Sequence, residues 1–156
     1  MHRTDITASP ILLLQNHGFS PEKVNLKVSH NLSIVVLADK PKVAYVRMDS
    51  VMKEVFETSN MRDIVAQLSG RGVSGIVYDF ENFSSGESIR FALSNILPAE
   101  RGFDVERLCF APSFEKDFDR EYIVPYFGCA SREADRWMHG DLKNVINRMI
   151  GKVYGH

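Results

Sequence analysis

The stretch that decides the fold is Val73-Ser74-Gly75-Ile76-Val77-Tyr78-Asp79-Phe80. Its centre is apolar, and Gly72 and polar residues bound it. A short apolar run of this kind is typical of a strand that is buried on both faces of a sheet. We therefore predict a central strand over residues 73–80, with Ile76 and Tyr78 facing one side and Val77 facing the other.

Helical patterns lie on both sides of this strand. Before it, apolar residues recur every three or four positions up to Gly70, which predicts one bent helix or two short helices over residues 50–70. After it, Ser84 and Glu87 fit an S-x-x-E capping box, in which each side chain accepts from a backbone N–H at the helix start. We expect this second helix to end at Pro98.

Further strands are predicted outside these helices. Residues 24–29 alternate between apolar and polar side chains, and residues 32–48 read as a β-hairpin. Residues 107–111 and 122–127 are two more strand candidates, the second at a sheet edge because it contains Pro125. Helices that alternate with strands in this way indicate an α/β layer structure.

The strongest helical pattern closes the chain. Apolar residues keep a spacing of three or four from Trp137 to Val153, behind a cap at Ser131. We expect the turns through Leu142 to pack on the sheet. The later apolar side chains then need a second surface, which is either the aliphatic run at residues 11–14 or the same helix of a second copy.

Composition bounds the function. The chain has 156 residues, of which 44% are hydrophobic and 25% are charged, so it can bury a core. We expect a single domain over residues 24–156, preceded by an N-terminal extension over residues 1–23. The net charge of −1 argues against a nucleic-acid partner. No apolar run approaches the length of a membrane span, and two cysteines make no disulfide framework, so we expect a cytoplasmic protein.

Cysteine and histidine are the two residue types here that could carry chemistry. Cys129 lies between a predicted strand and the final helix, and a helix N-terminus lowers the pKa of a thiol, so it is a candidate nucleophile. The competing interpretation is a small buried apolar residue, which is how most free cysteines behave. The five histidines show no metal-ligand spacing, so we expect no metal and no cofactor.

Three motifs together resemble one family. They are the strand end Tyr78-Asp79-Phe80-Glu81-Asn82-Phe83, the run Phe103-Asp104-Val105-Glu106-Arg107-Leu108, and the later Arg132-Glu133-Ala134-Asp135-Arg136-Trp137-Met138. In order and spacing they resemble the STAS-like domains, and within these the SpoIIAA-like family of small bacterial proteins, over about residues 30–142. The resemblance implies a mixed sheet of four to five strands with helices packed on it.

The resemblance also implies a binding segment and a function. In anti-sigma-factor antagonists, a Ser in the loop after the comparable strand is phosphorylated by a partner kinase, and a helix start favours a phosphate there. An ordinary capping box explains the same residues without any switch. We expect the binding residues in this loop, namely Asn82, Ser84, Ser85, Gly86 and Glu87.

Three functions are compatible with these observations. The first is a non-catalytic regulatory or interaction module of the STAS-like type, which binds a protein partner or a small apolar or anionic ligand. The second is a small enzyme with Cys129 as its nucleophile. The third is a subunit of a homo-oligomer, such as a homodimer, held together by the residues at 11–14 and the final helix.

Overall fold

The computed structural model describes residues 9–27, 32–48, 58–82, 86–110, 137–138 and 141–155. Within these residues the chain forms four helices and six strands. The helices are α1 (Pro10–Asn16), α2 (Thr58–Gly70), α3 (Gly86–Glu100) and α4 (Leu142–Tyr154). The strands are β1 (Pro21–Lys23), β2 (Ser33–Leu37), β3 (Lys40–Arg47), β4 (Gly75–Asp79), β5 (Glu106–Phe110) and β6 (Trp137–Met138).

The strands form one mixed sheet in the order β1-β2-β3-β4-β5-β6. The pairs β1–β2 and β2–β3 are antiparallel, whereas β3, β4, β5 and β6 are parallel to one another. Parallel neighbours require crossover connections, and α2 and α3 provide two of them. The predicted α/β class with a mixed sheet is confirmed. The short strands β1 and β6 flank the four longer strands.

The central strand is β4, as the sequence predicts. All five of its residues are buried. Ile76 and Tyr78 belong to the apolar cluster on one face of the sheet, and Val77 belongs to the cluster on the other face. The strand occupies residues 75–79 of the predicted 73–80, and its two-sided burial is confirmed.

Each face of the sheet is covered by helices. One apolar cluster combines α2 and α3 with the sheet; its largest fully buried side chains are Tyr78, Phe80, Met48, Met61, Ile64, Leu68 and Ile76. The opposite cluster combines α1 and α4 with the other face; it contains Leu14, Val35, Leu37, Val43, Tyr45, Val77, Leu108, Phe110, Leu142, Val145, Ile146 and Met149.

Helix α4 packs closely on the sheet because β4 begins with a glycine. A Cβ atom added at Gly75 would lie 2.5 Å from Met149 Sδ and 2.7 Å from Val153 Cγ1. At the end of the same helix, the Tyr154 hydroxyl accepts from the backbone N–H of Lys42 at 3.0 Å, near the start of β3. The C-terminal end of α4 therefore lies at the amino ends of the parallel strands, and its first turn points toward their carboxyl ends.

The prediction for the final helix was wrong at its beginning. The helix starts at Leu142, and Asp141 caps it by accepting from the backbone N–H of Lys143 at 3.0 Å. Trp137 and Met138 form β6 instead, paired with β5, so strand pairing overrides the helical spacing there. The predicted cap at residue 131 lies outside the described residues.

The later part of the final helix needs no second copy to cover it. Val145, Ile146 and Met149 are each at most 1% exposed, and the helix packs on β3, β4 and β5. These side chains pack on the sheet itself, so the expectation that they need a second surface was wrong. Leu14 of α1 belongs to the same apolar cluster, and α1 packs beside β1 and β2.

The N-terminal part of the chain joins the sheet earlier than predicted. Strand β1 lies at residues 21–23, whereas residues 24–27 of the predicted strand 24–29 are not in a strand. The backbone N–H of Val24 still donates to Ile34 O at 3.2 Å. The regular pairing with β2 therefore ends close to the residue at which the strand was expected to begin. Residues 10–23 thus supply one helix and one edge strand.

The remaining elements follow the predictions with shifted ends. The hairpin over 32–48 is confirmed as β2 and β3, and the strand at 107–111 is confirmed as β5. Helix α3 continues through Pro98 to Glu100, so the expected end at the proline was wrong. A proline this near the C-terminal end removes one intrahelical hydrogen bond, and α3 continues for only two residues beyond it. The predicted strand at 122–127 lies outside the described residues.

Candidate functional site

The candidate site lies at the carboxyl ends of the parallel strands. The strand registers place Ser33, Arg47, Asp79 and Phe110 in one row across β2, β3, β4 and β5. In open α/β sheets, binding sites are typically found outside this edge, because the loops that follow the strands converge there. The segments after β3, β4 and β5 all leave the sheet from this row.

A buried carboxylate forms the centre of the site. Asp79 is 1% exposed at the end of β4. Its Oδ2 accepts a hydrogen bond from the Tyr45 hydroxyl, and its Oδ1 accepts one from the backbone N–H of Glu81 at 2.8 Å. Tyr45 and Arg47 are two residues apart on β3, so they face the same side, and the Arg47 side chain hydrogen-bonds the Tyr45 hydroxyl.

The surroundings of Asp79 make it a titratable group near neutrality. The pKa of the Asp79 carboxyl is raised from 3.8 to about 6, mainly by burial and to a smaller extent by the charge of Glu81. The hydrogen bonds from Tyr45 and from the Glu81 N–H lower this pKa, as does the charge of Arg47. Burial also raises the pKa of the Tyr45 hydroxyl, with the Asp79 charge as the next cause, so this hydroxyl stays neutral.

Asp79 determines the path of the chain beyond β4. The backbone is held as far as Phe80, because Met48 N–H donates to Asp79 O at 2.9 Å and Phe80 N–H donates to Phe110 O at 2.8 Å. The next residue, Glu81, is held by the Asp79 side chain. The carboxylate therefore fixes the 81–82 turn, which lies shortly before the start of α3 at Gly86.

The predicted binding residues extend from this turn. Asn82 lies in the turn and is half-buried, and Gly86 is the first residue of α3. Ser84 and Ser85 lie outside the described residues, as does the side chain of Glu87. The capping box at 84 and 87 and any phosphorylation there stay predictions.

Of the two cysteines, Cys109 lies within the described residues and Cys129 does not. Cys109 is buried in β5 as part of the apolar core. Cys129 lies outside the described residues, so its expected role as nucleophile or core residue stays a prediction. Among the described residues there is no cluster of three or more histidine, cysteine or acidic side chains arranged to hold a metal ion.

The sequence interpretation did not identify the buried carboxylate at the centre of this candidate site. A charged residue at the end of an otherwise apolar strand, as in Val77-Tyr78-Asp79-Phe80, is a signal that could have identified Asp79, because a buried carboxylate needs partners. Tyr45 could not be identified in the same way, since only the register between β3 and β4 brings it to Asp79.

A second polar network lies on the opposite face of β4. The Tyr78 hydroxyl donates to Glu100 Oε2 at 2.9 Å, and Arg107 forms an ion pair with Glu100 Oε1. Arg107 and Glu100 are 5% and 8% exposed. Burial raises the pKa of the Tyr78 hydroxyl, and the charge of Glu100 raises it further. Arg107 pairs in register with Ile76, so this network lies nearer the middle of the sheet than the row that contains Asp79.

A cavity of about 500 Å³ lies beside the start of β2, toward the same edge as Asp79. It is lined by Lys23, Val24, Asn25, Leu26, Leu32, Ser33 and Ile34. None of the helices in the part of the chain described here combines the length and apolar character that crossing a membrane requires.

Comparison with known proteins gives no match: no family model fits this chain, and no curated protein or solved structure is significantly similar to it. The assignment of the candidate site therefore rests on the geometry of the described residues alone.

Proposed function

We propose that this chain is a non-catalytic regulatory module of the STAS-like type that binds a protein partner through the 82–87 segment. The observation that supports the proposal is the attachment of the 81–82 turn to the buried carboxylate of Asp79. Such a module would act in the cytoplasm, as the composition suggests.

The hydrogen bonds of Asp79 favour a positioning role. A general base needs a lone pair directed at the proton that it abstracts. Here one carboxylate oxygen accepts from the Tyr45 hydroxyl and the other accepts from the Glu81 N–H. Asp79 is also only 1% exposed, so its remaining lone pairs do not face solvent, which favours binding over catalysis.

A fixed turn suits recognition of a protein. Binding through a loop costs conformational entropy when the loop must be ordered, and a loop that is already ordered at its base loses less. The 82–87 segment begins at a turn fixed by a buried side chain and ends in the first turn of α3. Segments that a rigid sheet positions at its edge are the usual place for recognition residues.

Site-specific photo-crosslinking tests this proposal. A photo-reactive amino acid replaces Asn82 in the intact chain, expressed in its native cells, and the matched control replaces Asp104, which is exposed beyond the other end of α3. We expect position 82 to capture one discrete protein and position 104 to capture none. Capture in equal yield at both positions, or none at position 82, would overturn the proposal.

The cavity beside β2 favours a small ligand as a second candidate. Its volume of about 500 Å³ lies within the range of small-molecule sites. Lys23 supplies a positive charge and Leu26 supplies apolar surface, so a small anion with an apolar part fits this lining. Ligand-observed NMR with small aromatic carboxylates tests it, and the signals should disappear in Ser33→Trp. Equal binding to both proteins would eliminate this candidate.

A further inference from the structure

We propose that Asp79 is a proton-responsive latch for the 81–82 turn: the protonated carboxyl keeps the turn closed, and the ionised carboxylate favours its opening. An open turn would change the start of the proposed binding segment. This regulatory effect on binding rests on the proposed function.

Among the described residues beside the carboxyl group, the 81–82 turn is held by the Asp79 side chain, whereas its neighbours are held by the sheet. The backbone on either side of Asp79 is held by hydrogen bonds from Met48 to Asp79 O and from Phe80 to Phe110 O, at 2.9 and 2.8 Å. Glu81, by contrast, is held through the Asp79 side chain. Displacing the 81–82 turn therefore hydrates the carboxylate without breaking the sheet.

Both contacts of Asp79 survive protonation. A protonated carboxyl group keeps one oxygen as a pure acceptor, which can still receive the Glu81 N–H. The other oxygen then carries the proton and can donate to the Tyr45 hydroxyl oxygen. Ionisation keeps the hydrogen bonds as well but adds a buried negative charge, whose hydration is lost. The ionised carboxylate is therefore the form that is stabilised by hydration when the turn opens.

Among the described residues, two charged side chains act on Asp79 from neighbouring elements. Strand β3 contributes the cation of Arg47, and the turn contributes the like charge of Glu81. Strand β5 presents Leu108 and Phe110 to this face, whereas its Arg107 is paired with Glu100 on the opposite face; α4 presents apolar residues, namely Leu142, Val145, Ile146 and Met149. The charge of Asp79 is therefore offset by Arg47 and opposed by Glu81 and by burial.

The direction of the effect follows from linkage. With the turn closed the pKa of Asp79 is about 6, and with the carboxyl hydrated it approaches the ordinary 3.8. Opening then releases a proton, so a rise in pH favours opening up to about pH 6, above which the effect levels off. Between pH 5 and 7.5 the opening equilibrium should increase roughly ten-fold.

Hydrogen exchange followed by NMR on the intact chain tests the latch. The protection factor of the Glu81 amide, corrected for the intrinsic pH dependence of exchange, should fall about ten-fold from pH 5 to 7.5. The amide of Val77, in the centre of β4, is the internal reference and should not change. In Asp79→Asn the protection of Glu81 should be the same at both pH values.

Three variants provide a signature that a purely structural role would not produce. Tyr45→Phe and Arg47→Met each remove an interaction that lowers the pKa of Asp79, so the midpoint of the exchange transition should move to higher pH. Glu81→Gln removes a like charge, so the midpoint should move to lower pH. Because Glu81 is half-buried in a turn, this variant serves if Asp79→Asn does not fold.

Constant protection of Glu81 in the wild-type chain would overturn the latch, and so would a pH dependence that persists unchanged in Asp79→Asn. The measurement uses the isolated chain without a partner. Its failure would leave the crosslinking result at position 82 untouched, and failure of the crosslinking would leave the exchange result untouched.

Discussion

Two consecutive residues of β4, Tyr78 and Asp79, enter two different polar networks on opposite faces of the sheet. On the α2–α3 face, Tyr78 donates to Glu100, and Arg107 neutralises that carboxylate directly. On the α4 face, Asp79 accepts from Tyr45, and Arg47 acts through its charge and through its hydrogen bond to Tyr45. Both networks combine a tyrosine, a carboxylate and an arginine.

The difference lies in where each carboxylate is held and by what. Glu100 is the last residue of α3 and forms an ion pair with Arg107 of β5. Together with the hydrogen bond from Tyr78, this ion pair connects α3 to β4 and β5. Asp79 ends a strand and receives the backbone of the turn that follows it. A carboxylate paired directly with a buried cation is part of the structural core, whereas Asp79, with a pKa of about 6, can respond to the conditions of a cell.

The largest expected effect tests the structural network. Arg107→Met removes the cation and leaves Glu100 charged in a buried position, which typically costs about 3–5 kcal/mol in the free energy of unfolding. Urea denaturation at pH 7 measures this difference. The double variant Arg107→Met with Glu100→Gln removes the charge as well and should recover most of the loss. A single variant as stable as the wild type would show that the two networks are not different in kind.

The next effect tests the titration of Asp79. Because its pKa is raised in the folded state, its contribution to stability is fully present below about pH 4 and is lost as the pH rises through about 6. The change from 3.8 to about 6 corresponds to about 3 kcal/mol. The difference in the free energy of unfolding between the wild type and Asp79→Asn should follow this curve between pH 4 and 7. A difference independent of pH would place Asp79 in the same class as Glu100.

The sequence predicted the sheet better than the site, for a physical reason. Strand β4 and the hairpin are encoded by local apolar patterns, and these determine burial directly. Asp79 and Tyr45 are 34 positions apart in the sequence, and their contact depends on the register of β3 and β4. No local pattern in the sequence contains that register. The final helix shows the same limit, since Trp137 has helical spacing but pairs with β5.

A smaller effect perturbs one face alone. In Gly75→Ala the new methyl group would meet Met149 and Val153 closer than atoms pack, so α4 must shift away from the sheet. Such overpacking typically costs about 1–3 kcal/mol. Thermal unfolding measures it, and the same substitution should cost less in a Met149→Ala background, where there is room for the methyl group. The NMR signals of Tyr78 and Arg107, on the other face, should not shift; a shift as large as at Tyr45 would mean that the two faces are not independent.

The smallest effect is the difference in pH dependence between variants of the two tyrosines. Tyr45→Phe and Tyr78→Phe each delete one hydroxyl that donates to a buried carboxylate, and each should cost roughly 1–3 kcal/mol because the acceptor keeps its other partner. Their pH dependence should differ. Without the Tyr45 hydroxyl the pKa of Asp79 rises, so stability should fall with pH over a range that extends further above pH 6 than in the wild type. Tyr78→Phe leaves Glu100 in its ion pair with Arg107, so its cost should be the same at pH 5 and pH 8. Urea denaturation of both variants at these two pH values measures the two costs. If both costs changed with pH to the same extent, the ion pair between Arg107 and Glu100 would make no difference to how Glu100 responds to protons.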